Sequence, residues 1–252
     1  MSSKAKDPFY FTDLPNGWTV GRFTALDELG VIHVVTTRKG FDVTDAAKDP
    51  KSAATAVQQV LKLSAVAFCN QVHGTKIVAP RRSGSAGRAD GLVTAASGMG
   101  LMGLAADCPL ILAADPVSGA VGLAHASWRG TVGKIGSELV SQLVSRYRAD
   151  PADLVACICP SAGPCCYEIG PDVVQIASAS LGLRAQQFIE RRINKTYFDL
   201  WAANLDELIQ AGMDRSNIHT AGVCTLCRND LFPSHRVEGD QAGRFVAVIA
   251  QQ

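Results

Sequence analysis

LMGLAADCPLILAADPVSGAVGLAHASWRGTVGKIGSELVSQLVSRY, residues 101–147, is the stretch that decides the fold class. Three short apolar runs, Leu101–Ala106, Leu110–Ala114 and Ala120–Leu123, are separated by Asp-Cys-Pro and by Asp-Pro-Val-Ser-Gly. Turn residues between short apolar runs punctuate strands. From Thr131 to Tyr147 the period changes. Val132, Ile135, Leu139, Leu143 and Val144 recur at helical spacing, which predicts an amphipathic helix. Working outward, Leu154–Cys159 reads as a strand, and Leu200–Ala211 as a helix with Asp199 as its N-cap and Gly212 at its end. Phe245–Ala250 reads as a final strand. Strands and helices mix without a strict βαβ repeat. The expected class is therefore α/β of the mixed, α+β kind: a single globular domain over residues 1–252, with mixed sheets flanked by helices. Asp42–Lys51 and Arg81–Arg88, polar and rich in turn residues, are expected to be loops.

Composition narrows the function classes. A net charge of +1 speaks against a nucleic-acid partner, because proteins that track phosphate backbones carry a marked basic excess. The stretch MSSKAKDPFYFTDL lacks the apolar segment of a secretory leader, and Asp107 and Asp115 interrupt the longest apolar region, so no membrane partner is expected. With eight cysteines and no leader, the expected compartment is the reducing cytoplasm, where thiols act as ligands, nucleophiles or core filler. A monomer is the default.

Two of the five histidines stand out by context. His73 lies in Gln71-Val72-His73-Gly74, just after the apolar run Ala65–Cys69. His125 lies where a strand gives way to Ser127-Trp128-Arg129-Gly130 and then a helix. Cys108 sits in a turn between two strands. Side chains at strand ends can converge from distant positions on one rigid scaffold. Two imidazoles and a thiolate suit zinc or copper, and three protein ligands leave a coordination position open for catalysis. The spacings match no local ligand motif, so the same residues also read as loop histidines and a buried small cysteine. Cys224-Thr225-Leu226-Cys227 has C-x-x-C spacing without a second such pair, Cys157 and Cys159 share one face of a strand, and Gly163–Gly170, with Cys165 and Cys166, could line a pocket. Arg129, close before a helix start, and Arg38, at a strand end, are candidate anion holders.

Five motifs occur in order: Gln71-Val72-His73-Gly74, Ala89-Asp90-Gly91-Leu92-Val93-Thr94, Asp107-Cys108-Pro109, His125-Ala126-Ser127-Trp128-Arg129-Gly130-Thr131 and Cys166-Tyr167-Glu168-Ile169-Gly170. Together they resemble the laccase-domain, or polyphenol oxidase, family over nearly the whole chain. The resemblance implies a metal held by His73, Cys108 and His125. It also implies purine nucleoside chemistry: phosphorolysis of adenosine, inosine, guanosine or methylthioadenosine, and deamination of adenosine, with some members linked to peptidoglycan precursor editing. Three segments depart from the family pattern: Arg38-Lys39-Gly40-Phe41-Asp42-Val43, Ser127 in place of a glycine, and Pro233-Ser234-His235-Arg236.

The family's older name records copper-dependent phenol oxidation. Five histidines without a His-x-His pair do not furnish the two copper centres of a multicopper oxidase, although a single copper at the triad remains compatible. For deamination, a metal-activated water needs a carboxylate to move protons, and Asp90 or Asp107, with Glu168 as a weaker option, could do so. For phosphorolysis, Arg129, Arg38 and Gln71 are the substrate- and phosphate-binding candidates. A metal-free alternative makes Cys108 a nucleophile with His125 as its base, as in a Cys–His hydrolase or amidase. Zinc is the expected cofactor, and nucleosides and phosphate the expected partners.

Overall fold

A computed structural model describes residues 7–252, so the first six residues of the stretch MSSKAKDPFYFTDL lie outside the described residues. Two mixed sheets dominate the fold. From edge to edge, the seven-stranded sheet runs Phe9–Asp13, Thr19–Phe23, Ile32–Thr36, Phe245–Ala250, Met99–Ala105, Ala65–Asn70 and Gly84–Arg88. The six-stranded sheet runs Ile218–Thr220, Val155–Ile158, Leu110–Ala114, Val121–His125, Gly91–Thr94 and Ile77–Val78. Each sheet combines parallel and antiparallel pairs. The strands Leu110–Ala114 and Val121–His125 are buried at every position, which is why their sequences are unbroken apolar runs. Leu101, Ala105 and Phe245 of one sheet share a core with Leu110, Leu112 and Leu123 of the other. On the opposite face of the smaller sheet, Ile135, Leu139, Val140 and Leu143 bring a helix down onto Ile111 and Ala124. The architecture is thus mixed α/β, with helices flanking mixed sheets.

Several local expectations are corrected. The helix drawn from Thr131 to Tyr147 is two helices, Trp128–Val132 and Ile135–Tyr147. Between them Lys134 turns left-handed (φ 66°), and Gly133 packs so closely on Thr75 that a Cβ would lie 2.8 Å from the threonine methyl. Apolar spacing carries across the break, so periodicity alone hides it. Asp42–Lys51 is not a loop: Asp42 caps a helix over Val43–Lys48, and Asp49 caps the next at Pro50. Arg81–Arg88 holds the edge strand Gly84–Arg88, paired in parallel with Ala65–Asn70. Asp107-Cys108-Pro109 does lie between two strands, and these belong to different sheets. Among the described residues, no helix is long and apolar enough to cross a membrane.

Candidate active site

The crossing between the two sheets places the site. His73 follows a strand of the larger sheet, His125 ends a strand of the smaller one, and Cys108 lies on the step between them. Their donor atoms all fall within 4.8 Å of one another, and the two imidazole rings meet edge to face with centroids 5.1 Å apart. His125 is buried, Cys108 half-buried and His73 exposed, so the cluster has a closed floor and an open side.

Backbone strain is held in place on both sides. His73 and Asp107 adopt positive φ, 60° and 86°, conformations that cost a non-glycine residue on the order of 1–3 kcal/mol. The buried Asp90 carboxylate fixes the first. Its Oδ1 accepts from the His73 amide at 2.8 Å and its Oδ2 from the Gly74 amide at 2.8 Å, with the Val72 amide between them. The same Oδ1 lies 3.1 Å from His125 Nδ1, so one carboxylate sets the backbone of one imidazole and the ring of the other. Burial resists charge on Asp90, but His125 and the Gly74 and His73 amides hold its carboxyl below the ordinary carboxylate range. Asp107 is fixed likewise: Thr225 Oγ1 donates to its Oδ1 at 2.6 Å and the Arg236 amide to its Oδ2 at 2.7 Å. Gly130 completes the packing. A Cβ there would lie 3.2 Å from the Gly74 carbonyl oxygen and 3.3 Å from that of His125, so the short helix at Trp128 seats directly on the His73 turn.

The electrostatics favour an ionised thiol. Burial opposes a Cys108 thiolate, yet His125 and His73 beside it bring its pKa down to about 6. Burial also works against a His125 imidazolium, but the Cys108 thiolate and Asp90 raise it to about 9. A thiolate and two imidazoles, one with its Nδ1 proton committed to a carboxylate, form a donor set that fits a single metal ion.

A cavity of about 460 Å³ opens over the cluster, within the range of roughly 300–1,000 Å³ usual for small-molecule sites. Cys69, Asn70, Gln71 and Leu104–Ala106 line it, with Ala46, Ala47 and Pro50 from the helices that sequence reading took for a loop. His235 and Arg244 also line it. Arg244 Nη1 is anchored to the carbonyls of Ala242 and Gly243 at 2.7 and 2.8 Å, which leaves further guanidinium donors for a ligand. Among the described residues, none of those lining the cavity is a carboxylate.

The remaining candidates from sequence lie elsewhere or are already engaged. Both oxygens of Asp90 and of Asp107 are bonded as described, so neither faces the cavity as a free base. Gln71 lines the cavity, but its amide is committed to Leu104, donating from Nε2 at 2.8 Å and accepting at Oε1 at 2.9 Å. Arg38 donates to the Asn229 carbonyl and pairs with Glu238. Arg129 is exposed and stacks on Trp128, 4.2 Å from the ring centroid. Glu168 pairs with Lys195 at 2.7 Å. Arg244 was missed because a lone arginine before an apolar run carries no signal. His235 was visible only as a departure from a family pattern.

The family model for multi-copper polyphenol oxidoreductase laccases matches residues 34–252. The chain belongs to this family. A relative from Deinococcus radiodurans, named a purine nucleoside phosphorylase, is 35% identical over 236 residues, 88% of this chain and 89% of its own. Purine nucleoside phosphorylase YlmD of Geobacillus stearothermophilus is 35% identical over 195 residues, covering 73% of this chain and 71% of its own. The crystal structure of YlmD from Geobacillus stearothermophilus superposes with a TM-score of 0.84 at 28% identity, over 97% of this chain and all of that one. A further relative, adenosine deaminase RL5 from an unknown prokaryotic organism, is 34% identical over 156 residues, 62% of this chain and 59% of its own. Relatives of this family member are therefore named as enzymes acting on purine nucleosides.

Proposed function

We propose that this laccase-family chain is a purine nucleoside phosphorylase that works as a monomeric single domain in the cytoplasm, on adenosine, inosine, guanosine or methylthioadenosine. The observation that carries this reading is the cavity itself: a His–Cys–His cluster on its floor, Arg244 and His235 on its walls, and no lining carboxylate. His73, Cys108 and His125 would hold zinc, with copper the alternative, and the ion would supply positive charge to polarise a substrate oxygen. Asp90 acts through His125, keeping the Nδ1 proton and turning Nε2 toward the cluster. Arg244, with His235, binds and orients phosphate. A phosphate oxygen forms a bond to the ribose C1′ as the C1′–N9 bond breaks. The base leaves with the bonding electron pair and takes a proton. Phosphate is its own nucleophile, so this step needs no carboxylate base.

Deamination is the second reading, favoured by the relative named an adenosine deaminase. It requires a proton carrier, and Asp90 and Asp107 are both committed to other donors. The thiolate–imidazole pair also suits a metal-free Cys–His hydrolase, but His73 is a donor that such a mechanism does not use. Multicopper chemistry is not supported by the histidine positions: both nitrogens of the buried His33 bond backbone groups, and His219 lies on an edge strand of the smaller sheet. The test is product analysis with adenosine, with and without phosphate. Adenine and ribose 1-phosphate appearing only with phosphate is the expected result. Inosine formed regardless of phosphate would replace phosphorolysis with deamination, and no product in either incubation from adenosine, inosine, guanosine or methylthioadenosine would overturn the nucleoside reading.

A further inference from the structure

Four cysteines that the active site does not use converge on one point. Cys165 and Cys166 lie in the turn after Gly163, Cys224 and Cys227 bracket the turn after Val223, and all four sulfurs fall within 4.8 Å of one another. Cys227 Sγ is 3.7 Å from Cys165 Sγ and 3.4 Å from Cys166 Sγ. Four sulfurs bound at roughly 2.3 Å to a tetrahedral zinc lie about 3.8 Å apart, close to this spacing. An iron–sulfur cluster, whose irons carry separate ligands, requires a wider set.

Independent of the sulfur spacing, the backbone is arranged for thiolates. The Gly163 amide donates to Cys224 Sγ at 3.3 Å. An amide directed onto a ligand sulfur offsets negative charge on it, as a metal-bound thiolate requires. The turn is closed by the Arg228 amide donating to the Cys224 carbonyl at 2.9 Å. The two segments are already registered by a bridge between Ser161 and Cys224, with the Thr225 amide donating to the Ser161 carbonyl at 3.0 Å. Cys224 is buried while Cys165 and Cys227 are exposed, so an ion could enter from solvent.

We infer that Cys165, Cys166, Cys224 and Cys227 form a second, closed zinc site that is structural and separate from the His73–Cys108–His125 cluster. Binding forms four zinc–sulfur bonds and releases the protons those thiols carry. Its place in the fold gives it a purpose. Thr225, inside the C-x-x-C turn, donates to Asp107, and Tyr167, next to Cys166, packs under Arg236, whose own amide donates to the other Asp107 oxygen. The ion would join the Thr225 turn, which holds one Asp107 oxygen, to the Tyr167 segment, which packs on the arginine holding the other, and so would position the neighbouring Cys108.

The test is metal analysis of protein purified without added metal, combined with cobalt substitution. Wild type is expected to carry two zinc equivalents per chain. Cys165→Ser with Cys227→Ser should lose one equivalent and retain the other, whose retention shows that the variant is folded. His73→Ala with Cys108→Ala should lose the complementary one. Cobalt at both sites should give an intense thiolate charge-transfer band, which in the Cys165/Cys227 variant falls to the weaker band of the single Cys108 thiolate. One equivalent in wild type, lost entirely in the His73/Cys108 variant, would overturn the inference. So would a disulfide among the four cysteines found by non-reducing mass mapping, or iron in place of zinc. These readouts do not depend on nucleoside turnover, so failure here is separable from failure of the phosphorylase reading.

Discussion

Replacing Asp90 with asparagine tests the site at its most connected point. The carboxylate accepts from the amides of Val72, His73 and Gly74 and from His125 Nδ1. Asparagine keeps the shape but offers one accepting oxygen. With its oxygen toward His73 and His125, its NH₂ faces the Gly74 amide, donor against donor. The lost charge-assisted bond costs about 1.5–3 kcal/mol, and the unsatisfied Gly74 N–H adds roughly 1–3 kcal/mol. In the opposite orientation the NH₂ faces His125 Nδ1, which must then accept; the ring proton moves to Nε2 and blocks the nitrogen that faces the cluster. Either way, Asp90→Asn should unfold at lower urea and bind zinc at the three-residue site about 10–100-fold more weakly. Chelator competition measures the affinity, and urea titration with the metal removed measures stability. Wild-type zinc affinity together with stability within about 1 kcal/mol of wild type would refute the role given to Asp90.

Arg244→Ala should raise KM for phosphate about 10–100-fold with a smaller change in kcat, the loss expected for a charge-assisted contact; an unchanged phosphate KM would remove Arg244 from the site. In metal-stripped protein, alkylation of Cys108 should follow pH with a midpoint near 6, where an ordinary thiol stays unreactive until near 9, and His73→Ala should move that midpoint upward. His33 predicts an acid sensitivity remote from the site. Burial lowers its pKa from 6.5 to about 4, while its neutral ring accepts from the Phe23 amide and bonds the Val31 carbonyl. Because the folded pKa lies below the unfolded one, this group leaves stability untouched above pH 6.5 and erodes it as pH falls toward about 4, by about 3 kcal/mol in total. Urea titrations across that range should show the loss in wild type and a reduced slope in His33→Gln; equal slopes would contradict it.

The parts of the fold legible in the sequence are those whose pattern is local. Leu110–Ala114 and Phe245–Ala250 match their strands residue for residue, and Asp199 caps its helix as its side chain predicts. What local pattern cannot express is closeness between distant segments. The helix break at Gly133 answers to Thr75, far back in the chain, and the helices over Val43–Val60 were hidden because polar capping residues also mark turns. The same limit applies at the site. His73, Cys108 and His125 stood out by context, but Asp90 was read as a proton carrier because its three amide partners are invisible in sequence. The four-cysteine cluster was missed for a related reason. Its halves lie about sixty residues apart, and one of them, Cys165-Cys166, has no recognisable ligand spacing.

Cys108 sits on the step from one sheet to the other, with His73 and His125 contributed from either side. An ion gripping all three would behave as a rivet through two plates. It can be held tightly only when both sheets are assembled and seated in register, so its binding energy is withheld from any half-folded form. Thermodynamic linkage then makes metal raise the cooperativity of unfolding along with the midpoint, merging transitions that the two sheets could otherwise undergo separately.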